Sequence, residues 1–109
     1  MELMGAIMTV KIIIKRTVKE NKAKEMIPLF RQMRSLAVKQ PGYISGETLK
    51  SLDRPETFVV ISTWDSSAAW EQWLLIKERQ KLQEKMDAFL VGKTEYETFQ
   101  FGLDDKEII

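Results

Sequence analysis

The stretch "TFVVISTWDSSAAWEQWL", residues 57–74, contains the pattern that decides the fold. Its first half is rich in β-branched and aromatic side chains, which is typical of a strand with apolar side chains on both faces. Asp65 or Ser66 can then cap a helix, because a short side chain with an oxygen atom accepts a hydrogen bond from a free backbone amide. The stretch therefore predicts a strand over residues 57–64 that leads directly into a helix.

All three tryptophans of the chain lie in this stretch. Trp64 ends the strand, and we expect it to hold the corner between strand and helix, with a place on a cavity wall as the alternative. Trp70 and Trp73 follow at helical spacing. Trp70 is expected to be structural or to lie at an interface. Trp73 is the best candidate for a pocket residue, and the alternative is a core anchor beneath the helix.

Three further segments alternate or carry β-branched residues in the manner of strands. The segment "TVKIIIKRTV" (9–18) predicts a strand with Val10, Ile12 and Ile14 on one face. Residues 43–52 and 57–64 flank the turn "DRPE" and predict a β-hairpin. The segment "TEYETFQF" (94–101) predicts a fourth strand.

Two regions carry apolar residues at helical spacing. The first follows Asn21, a candidate N-cap, and its stripe includes Phe30 and Met33. The second runs from the Asp65–Ser66 cap towards Gly92, a plausible stop. The charged segment "KERQK" (77–81) interrupts the second stripe, so we expect a kink or two abutting helices there.

The element order β-α-β-β-α-β predicts the fold class. It is α+β and ferredoxin-like, with a four-stranded antiparallel sheet and the helices on one face. The 109 residues suit one domain. We expect this domain to span residues 9–101, with an N-terminal extension at 1–8 and a C-terminal tail at 102–109.

Composition excludes several kinds of chemistry. The chain contains no histidine and no cysteine. It therefore has no Ser-His-Asp triad, no thiolate or imidazole metal site and no haem held by a proximal histidine. Acid–base chemistry must come from a carboxylate, a lysine, a tyrosine or the substrate. No metal is expected.

The charge balance and hydropathy narrow the choice of partners. Seventeen basic and sixteen acidic residues nearly cancel, so nucleic acid is not expected as a partner. No apolar run approaches the roughly 20 residues that span a membrane. The first eight residues do not form a signal-peptide pattern, and Met4 or Met8 is an alternative start. A cytoplasmic location is the expectation.

Both faces of the predicted sheet carry apolar side chains. Ile13 lies opposite Ile12 and Ile14 on the first strand, and the third strand also has apolar residues on both sides. An exposed patch of this kind is unfavourable in a monomer. We therefore expect a homodimer whose sheets pack against each other as a barrel-like core. The alternative is that the strand ends are simply apolar near loops.

Four polar strand residues are candidates for acid–base work. Tyr43 and Glu47 are predicted to share one face of the second strand, and Tyr96 and Arg16 lie on the fourth and first strands. The simpler interpretation for each is a contact with water or a cross-strand partner. No two carboxylates form a convincing acid–base pair.

The segment "QPGYISGETLKSLDRPETFVVISTWDSSAAWEQWL" (40–74) resembles the antibiotic-biosynthesis-monooxygenase-like domains. The shared features are "PGY" before the second strand, "STW" at the end of the third, and the W-x-x-W that begins the helix. The resemblance covers about residues 9–101. It implies a ferredoxin-like unit that forms a dimeric α/β barrel.

The resemblance also implies an activity. Members described as monooxygenases use no metal or flavin, and they oxidise electron-rich phenols or quinols with molecular oxygen in a closed pocket between helices and sheet. In this chain the implied substrate-pocket residues are Trp73, Trp64, Phe30, Met33 and Gln83, the implied ligand is a small aromatic molecule, and no cofactor is expected. The catalytic residues are not identified.

A second branch of the same family degrades haem with an asparagine, a tryptophan and a haem-ligating histidine. Trp73 matches the tryptophan, but Ile14 and Gln83 stand at the other two positions. Histidine-ligated haem oxygenase chemistry is therefore rejected. The alternative to a monooxygenase is a non-catalytic protein of the same dimeric fold that binds a small molecule or a partner.

Overall fold

The structure is a computed structural model that describes residues 9–101. Within this range the chain forms four strands and three helices: β1 (Val10–Thr17), α1 (Ala23–Ala37), β2 (Tyr43–Lys50), β3 (Thr57–Trp64), α2 (Ser67–Leu74), α3 (Lys77–Asp87) and β4 (Glu95–Gln100). The predicted order of elements is confirmed. The predicted extension and tail lie outside the described residues.

The four strands form one antiparallel sheet in the order β2-β3-β1-β4. Along β1, fully buried residues alternate with half-buried ones, because every second side chain faces the helices. Val10, Ile12 and Ile14 occupy the buried face, as predicted. The ferredoxin-like fold with helices on one face of the sheet is thus confirmed.

The core between sheet and helices consists of two clusters. One contains Val10, Ile12 and Ile14 together with the three tryptophans. The other lies at the opposite end of β1 and is centred on Met26 and Met86. The first cluster surrounds the candidate site, and the second touches the site only through Phe30 and Met33, which pack against it.

The second helical region is divided, as the charged segment predicted. Ser66 caps α2, and its hydroxyl accepts a hydrogen bond from the amide of Ala69 at 3.1 Å. Ile76 has an extended backbone (φ −65°, ψ 127°), which ends one helix and allows α3 to begin at Lys77. Residues 75 and 76 therefore separate two abutting helices, as predicted.

Two predicted helix ends are wrong. The residue before α1 is Lys22, whereas Asn21 has a left-handed backbone (φ 65°) and provides no cap. The last helix ends at Asp87 rather than near Gly92. It stops early because the chain returns to the sheet, where Leu90 bridges Val18.

Between residues 9 and 101, no helix combines the length and the apolar character that crossing a membrane requires.

Replacing Ser66 with alanine should lower the free energy of unfolding by about 1 kcal/mol, because α2 loses the acceptor for its Ala69 amide. Urea denaturation followed by tryptophan fluorescence measures this change. Ser67→Ala is the matched control, since Ser67 is exposed at the first position of α2. Equal destabilisation by both substitutions would contradict the capping role.

Candidate functional site

A cavity of about 40 Å³ lies between the helices and the sheet. Three strands and all three helices contribute to its wall. The apolar part of the wall comes mostly from α1, the sheet and α2, namely Ile14, Phe30, Met33, Val60, Trp64 and Trp73. Four of the five predicted pocket residues, all except Gln83, therefore line one cavity.

The polar part of the wall is cationic. Three arginines line the cavity, together with the hydroxyl-bearing side chains of Tyr43, Thr48 and Ser62. Among residues 9–101, no aspartate or glutamate contributes to this lining. The cavity thus combines flat aromatic walls with positive charge.

The tryptophans form one aromatic cluster. Trp64 is fully buried, and its ring stacks on Trp73 with a centroid distance of 6.0 Å and meets Trp70 edge-on at the same distance. Its indole nitrogen donates to the Ser62 hydroxyl at 3.1 Å. Trp64 and Trp73 line the cavity, whereas Trp70 does not, so Trp70 keeps the structural position expected of it.

Tyr43 enters the site because of a β-bulge. The register of β2 against β3 shifts between Tyr43 and Ser45, which places Tyr43 opposite Trp64 and Glu47 opposite Ile61 on the other face of the sheet. The prediction that Tyr43 and Glu47 share a face is therefore wrong. The Tyr43 ring contacts Trp64 edge-on at 5.4 Å.

The "PGY" motif has a structural reason in Gly42. Its backbone is left-handed (φ 86°), which favours glycine. A β-carbon at this position would lie only 2.5 Å from the Ala69 β-carbon and 2.6 Å from Asp65 Oδ1. The motif therefore lets the chain pass close to the start of α2 before Tyr43 turns into the cavity.

Arg34 joins α1 to the edge strand β2 at the mouth of the cavity. Its guanidinium donates to the carbonyl of Gly46 at 2.9 Å and to the hydroxyl of Thr48 at 3.2 Å. A β-carbon on Gly46 would lie 2.8 Å from the Tyr43 hydroxyl and 3.4 Å from the Arg34 guanidinium carbon. Glycine at position 46 thus leaves room for both groups.

An open groove continues outward from the cavity. It has a volume of about 570 Å³ and lies between α1 and the sheet edge. Phe30, Arg34 and Thr48 line both the groove and the cavity. These three side chains therefore separate an inner space of about 40 Å³ from a much larger outer one.

Arg79 is buried inside a box of aromatic rings. It is 4% exposed, and its guanidinium carbon lies 5.9 Å from the Trp70 ring centre, 5.6 Å from that of Trp73 and 5.7 Å from that of Tyr96. It donates one hydrogen bond, to the Tyr96 hydroxyl at 2.9 Å. Ring faces attract cations, so this box helps to hold the charge in the core.

Arg16 is the second buried cation and is 3% exposed. Burial lowers its pKa to about 10; Tyr96 and Asp87 oppose this shift, and the neighbouring Arg79 adds to it. The group therefore remains charged at neutral pH. Its guanidinium donates to Gln83 Oε1 at 2.8 Å and lies 6.0 Å from the centre of the Phe30 ring.

Gln83, the fifth predicted pocket residue, lies behind Arg16 and not in the cavity lining. Its amide nitrogen donates to Asp87 and Thr94 at 2.8 and 2.9 Å, which fixes the side chain. Its carbonyl oxygen then faces Arg16. A direct contact of Gln83 with substrate stays a prediction, and its observed contact is with the arginine.

Arg79 is not among the predicted site residues, and for Arg16 the simpler interpretation from sequence is a contact with water or a cross-strand partner. Signals for both were present. In β1 every second residue is buried, and Arg16 follows Ile12 and Ile14 in that series. Arg79 precedes Leu82 and Met86 at steps of three and four residues, which is the spacing of one helix face. Because residues 77–81 are mostly charged, the helical spacing of Arg79 with Leu82 and Met86 was not recognised as a sign of burial.

Within residues 9–101, no group of three or more acidic, histidine or cysteine side chains is arranged to hold a metal ion. The chemistry available at the cavity is therefore apolar enclosure, aromatic stacking, hydroxyl hydrogen bonding and positive charge.

The comparisons with known proteins agree with this architecture. Residues 9–85 match the antibiotic biosynthesis monooxygenase family. A conserved protein from Methanosarcina mazei has a TM-score of 0.80 and 18% identity, with 86% of this chain and 93% of that chain covered. SnoaB, a cofactor-independent oxygenase from Streptomyces nogalater, has a TM-score of 0.78 and 20% identity, with 92% and 99% covered. No curated protein gave a match.

At such identities the solved structures support the fold, whereas the family match concerns the sequence itself. The matched residues run from β1 into α3 and include every residue that lines the cavity. The match covers more than half of the chain and confirms the resemblance found in the sequence. The chain belongs to the antibiotic biosynthesis monooxygenase family.

Proposed function

We propose that the protein is a cofactor-independent monooxygenase that oxidises an electron-rich aromatic of the quinol or polyphenol type with molecular oxygen. The observation that carries this proposal is the enclosed cavity in which Trp64 and Trp73 provide flat walls beside buried guanidinium groups. Membership of the family supports the reaction type. The description of SnoaB as a cofactor-independent oxygenase supports the absence of a cofactor requirement.

The substrate supplies the reducing power in this reaction. A hydroquinone that loses a hydroxyl proton gives one electron to O2, and the resulting radical and superoxide combine to form a carbon–oxygen bond. The hydroperoxide then loses water, so that hydroquinone plus O2 yields a hydroxyquinone plus H2O. One oxygen atom enters the product and the other leaves as water, and atoms and electrons balance.

The protein's own residues bind, orient and enclose the substrate. Trp73 and Met33 face the cavity from different helices, so a flat ring between them is held in one plane. The positive charge of Arg16 and Arg79 favours the deprotonated substrate, because an opposite charge nearby stabilises the anion. The tryptophan cluster excludes water, which protects the reactive intermediate.

Substrate entry requires movement at the cavity mouth. A volume of about 40 Å³ holds one or two water molecules, at about 30 Å³ each, and is too small for an aromatic ring. The neighbouring groove is large enough for one. We infer that Phe30 and Arg34 move aside, so that the groove and the cavity become one pocket.

Trp73→Phe should lower kcat/KM for oxygen uptake about tenfold or more, because the smaller ring leaves the substrate loosely oriented. The measurement is oxygen consumption with anthrone and with 1,4-dihydroxynaphthalene, each corrected for the uncatalysed rate. Wild-type protein that adds nothing to the uncatalysed rate with either substrate would contradict the activity for these substrates.

The matched control is Phe89→Leu, which removes a ring that packs against the second core cluster and does not line the cavity. It should leave kcat and KM unchanged after correction for the folded fraction. A loss in both variants would show that general destabilisation, and not the Trp73 contact, lowers the rate.

Arg34→Met should speed ligand entry severalfold, because it removes both hydrogen bonds that close α1 onto β2. Stopped-flow quenching of tryptophan fluorescence by 1,4-naphthoquinone gives the association rate. Arg31→Met is the control, since Arg31 is exposed on the same helix and lines the outer groove but not the cavity. An unchanged association rate in Arg34→Met would place the entrance elsewhere.

A second candidate function is ligand binding without catalysis. The described residues that line the cavity include no carboxylate and no lysine, so the Tyr43 hydroxyl is the one side-chain group among them that commonly acts as a general base. Such a protein would bind the same aromatics and show no oxygen uptake. Binding measured beside oxygen consumption therefore separates the two functions.

We propose that the protein acts as a homodimer whose sheets face each other. The sheet face away from the helices carries Ile13, Val59 and Ile61 at its centre, where they occupy neighbouring positions on β1 and β3. Leu49 and Phe99 extend this patch onto both edge strands and are 45% and 50% exposed. A second copy would bury an apolar surface that a monomer leaves in water.

Light scattering at micromolar concentration should give twice the mass of one chain. Ile61→Glu should shift the protein to a monomer, because a charge at the centre of the patch cannot be buried without a partner. Leu52→Glu adds the same charge at a loop residue that is 97% exposed and should remain dimeric. A wild-type monomer would overturn the proposal.

A further inference from the structure

Within the part of the chain that the structure describes, the hydrogen-bond partners of the two buried arginines are neutral side chains. Arg16 donates to the Gln83 amide and Arg79 to the Tyr96 hydroxyl. Among the described residues, neither guanidinium forms an ion pair, and the Nε atoms of both are buried without a hydrogen-bond partner. A buried charge without a counter-charge is costly, so this arrangement calls for an explanation.

Packing alone offers part of that explanation. The aromatic box stabilises Arg79, and the Phe30 ring lies against Arg16. However, ring faces do not remove the repulsion between two cations, and Arg79 acts unfavourably on the charged form of Arg16. Ring contacts therefore do not supply the two guanidinium groups with a counter-charge.

Among the described residues, the groups that favour the charge on Arg16 are Tyr96 and Asp87, and neither lines the cavity to offset its positive charge. The third arginine of the lining, Arg34, adds to it. Asp87 favours the charge on Arg16, but its carboxylate bonds to Gln83 and lies outside the cavity lining. The cavity thus has three guanidinium groups on its wall and, among residues 9–101, no aspartate or glutamate beside them.

We propose that the pocket takes its ligand as an aromatic anion, with a carboxylate or phenolate oxygen held by Arg16 and Arg79 and the ring against Trp64 and Trp73. Guanidinium groups bind such oxygens by charge-assisted hydrogen bonds, and their unused Nε–H groups are available donors. This inference rests on the proposed function for its site and names the charge of the substrate.

The same contacts would select between ligands of equal shape. A neutral aromatic fills the apolar part of the pocket but leaves the two cations without a counter-charge. An anion of the same shape supplies that counter-charge. Discrimination therefore follows from charge, whereas ring size and flatness determine whether the ligand fits.

A matched pair of probes tests the carboxylate form. 2-Naphthoate and 2-naphthamide have nearly the same shape and differ in charge, and both can be followed by quenching of tryptophan fluorescence. Naphthoate should bind about tenfold or more tightly, the preference that corresponds to one pKa unit. Equal affinity, or no binding of naphthoate at millimolar concentration, would overturn the carboxylate form.

4-Nitrophenol tests the phenolate form, because its visible absorbance reports its own ionisation. Bound to the protein, its pKa should fall by about one unit or more, since the guanidinium groups stabilise the phenolate. An unchanged or raised pKa would exclude this form. Failure with both probes would overturn the proposal as a whole.

Arginine variants assign the effect to the pocket. Arg79→Met should lower naphthoate affinity about tenfold and leave naphthamide affinity unchanged, whereas Arg79→Lys should retain part of the preference. Arg54→Gln is the control, because it removes a positive charge from an exposed turn. If Arg54→Gln reduced the preference as much as Arg79→Met, long-range charge rather than the pocket would be responsible. The wild-type comparison decides the question even if Arg79→Met fails to fold.

These outcomes separate the inference from the proposed function. Selective binding of anions without oxygen uptake would support the anion site and contradict the monooxygenase. The opposite outcome is oxygen uptake with equal binding of naphthoate and naphthamide and an unshifted pKa of 4-nitrophenol. It would support the monooxygenase and contradict the anion site.

Discussion

The contact of Trp64 with Trp73 and Trp70 joins the sheet to the second helical region, and the candidate site depends on it. Trp64 comes from the last position of β3 and is fully buried, so its ring fixes where α2 lies on the sheet. Trp73 then faces the cavity, and α3 begins after the short break at Ile76. The position of Arg79 follows, since its guanidinium lies against the rings of Trp70 and Trp73. One aromatic cluster thus organises both the apolar and the charged wall.

The guanidinium groups of Arg16 and Arg79 in the cavity wall are unfavourable for stability but useful for binding a ligand. A small domain gains stability from apolar burial, yet this one buries Arg16 and Arg79 beside its main aromatic cluster. Aromatic faces and neutral hydrogen bonds offset part of that cost. Residues that reduce stability at a cavity are characteristic of sites under functional demand, which is why the guanidinium pair supports a ligand more strongly than another hydrophobic contact would.

Local sequence pattern predicted most of the fold and part of the site. Alternation along β1 placed Val10, Ile12 and Ile14 correctly, because the side-chain period of a strand is fixed by its geometry. The same rule failed in β2, because the bulge after Tyr43 shifts the alternation of side chains by one residue. Tyr43 and Glu47 therefore lie on opposite faces of the sheet. Helix ends also failed where tertiary contacts ended a helix, as Leu90 does by bridging Val18 after α3.

By itself the sequence determined the order of elements, the family and four of the side chains that meet at the cavity, since periodicity and motif are properties of neighbouring residues. Only the tertiary structure brought the three tryptophans into one cluster and turned Tyr43 inward. It alone placed Arg16 and Arg79 together, with no carboxylate partner for either among the residues that the structure describes. The physical reason is that the cost of burying a charge depends on what surrounds it. Those surroundings come from residues distant in the chain.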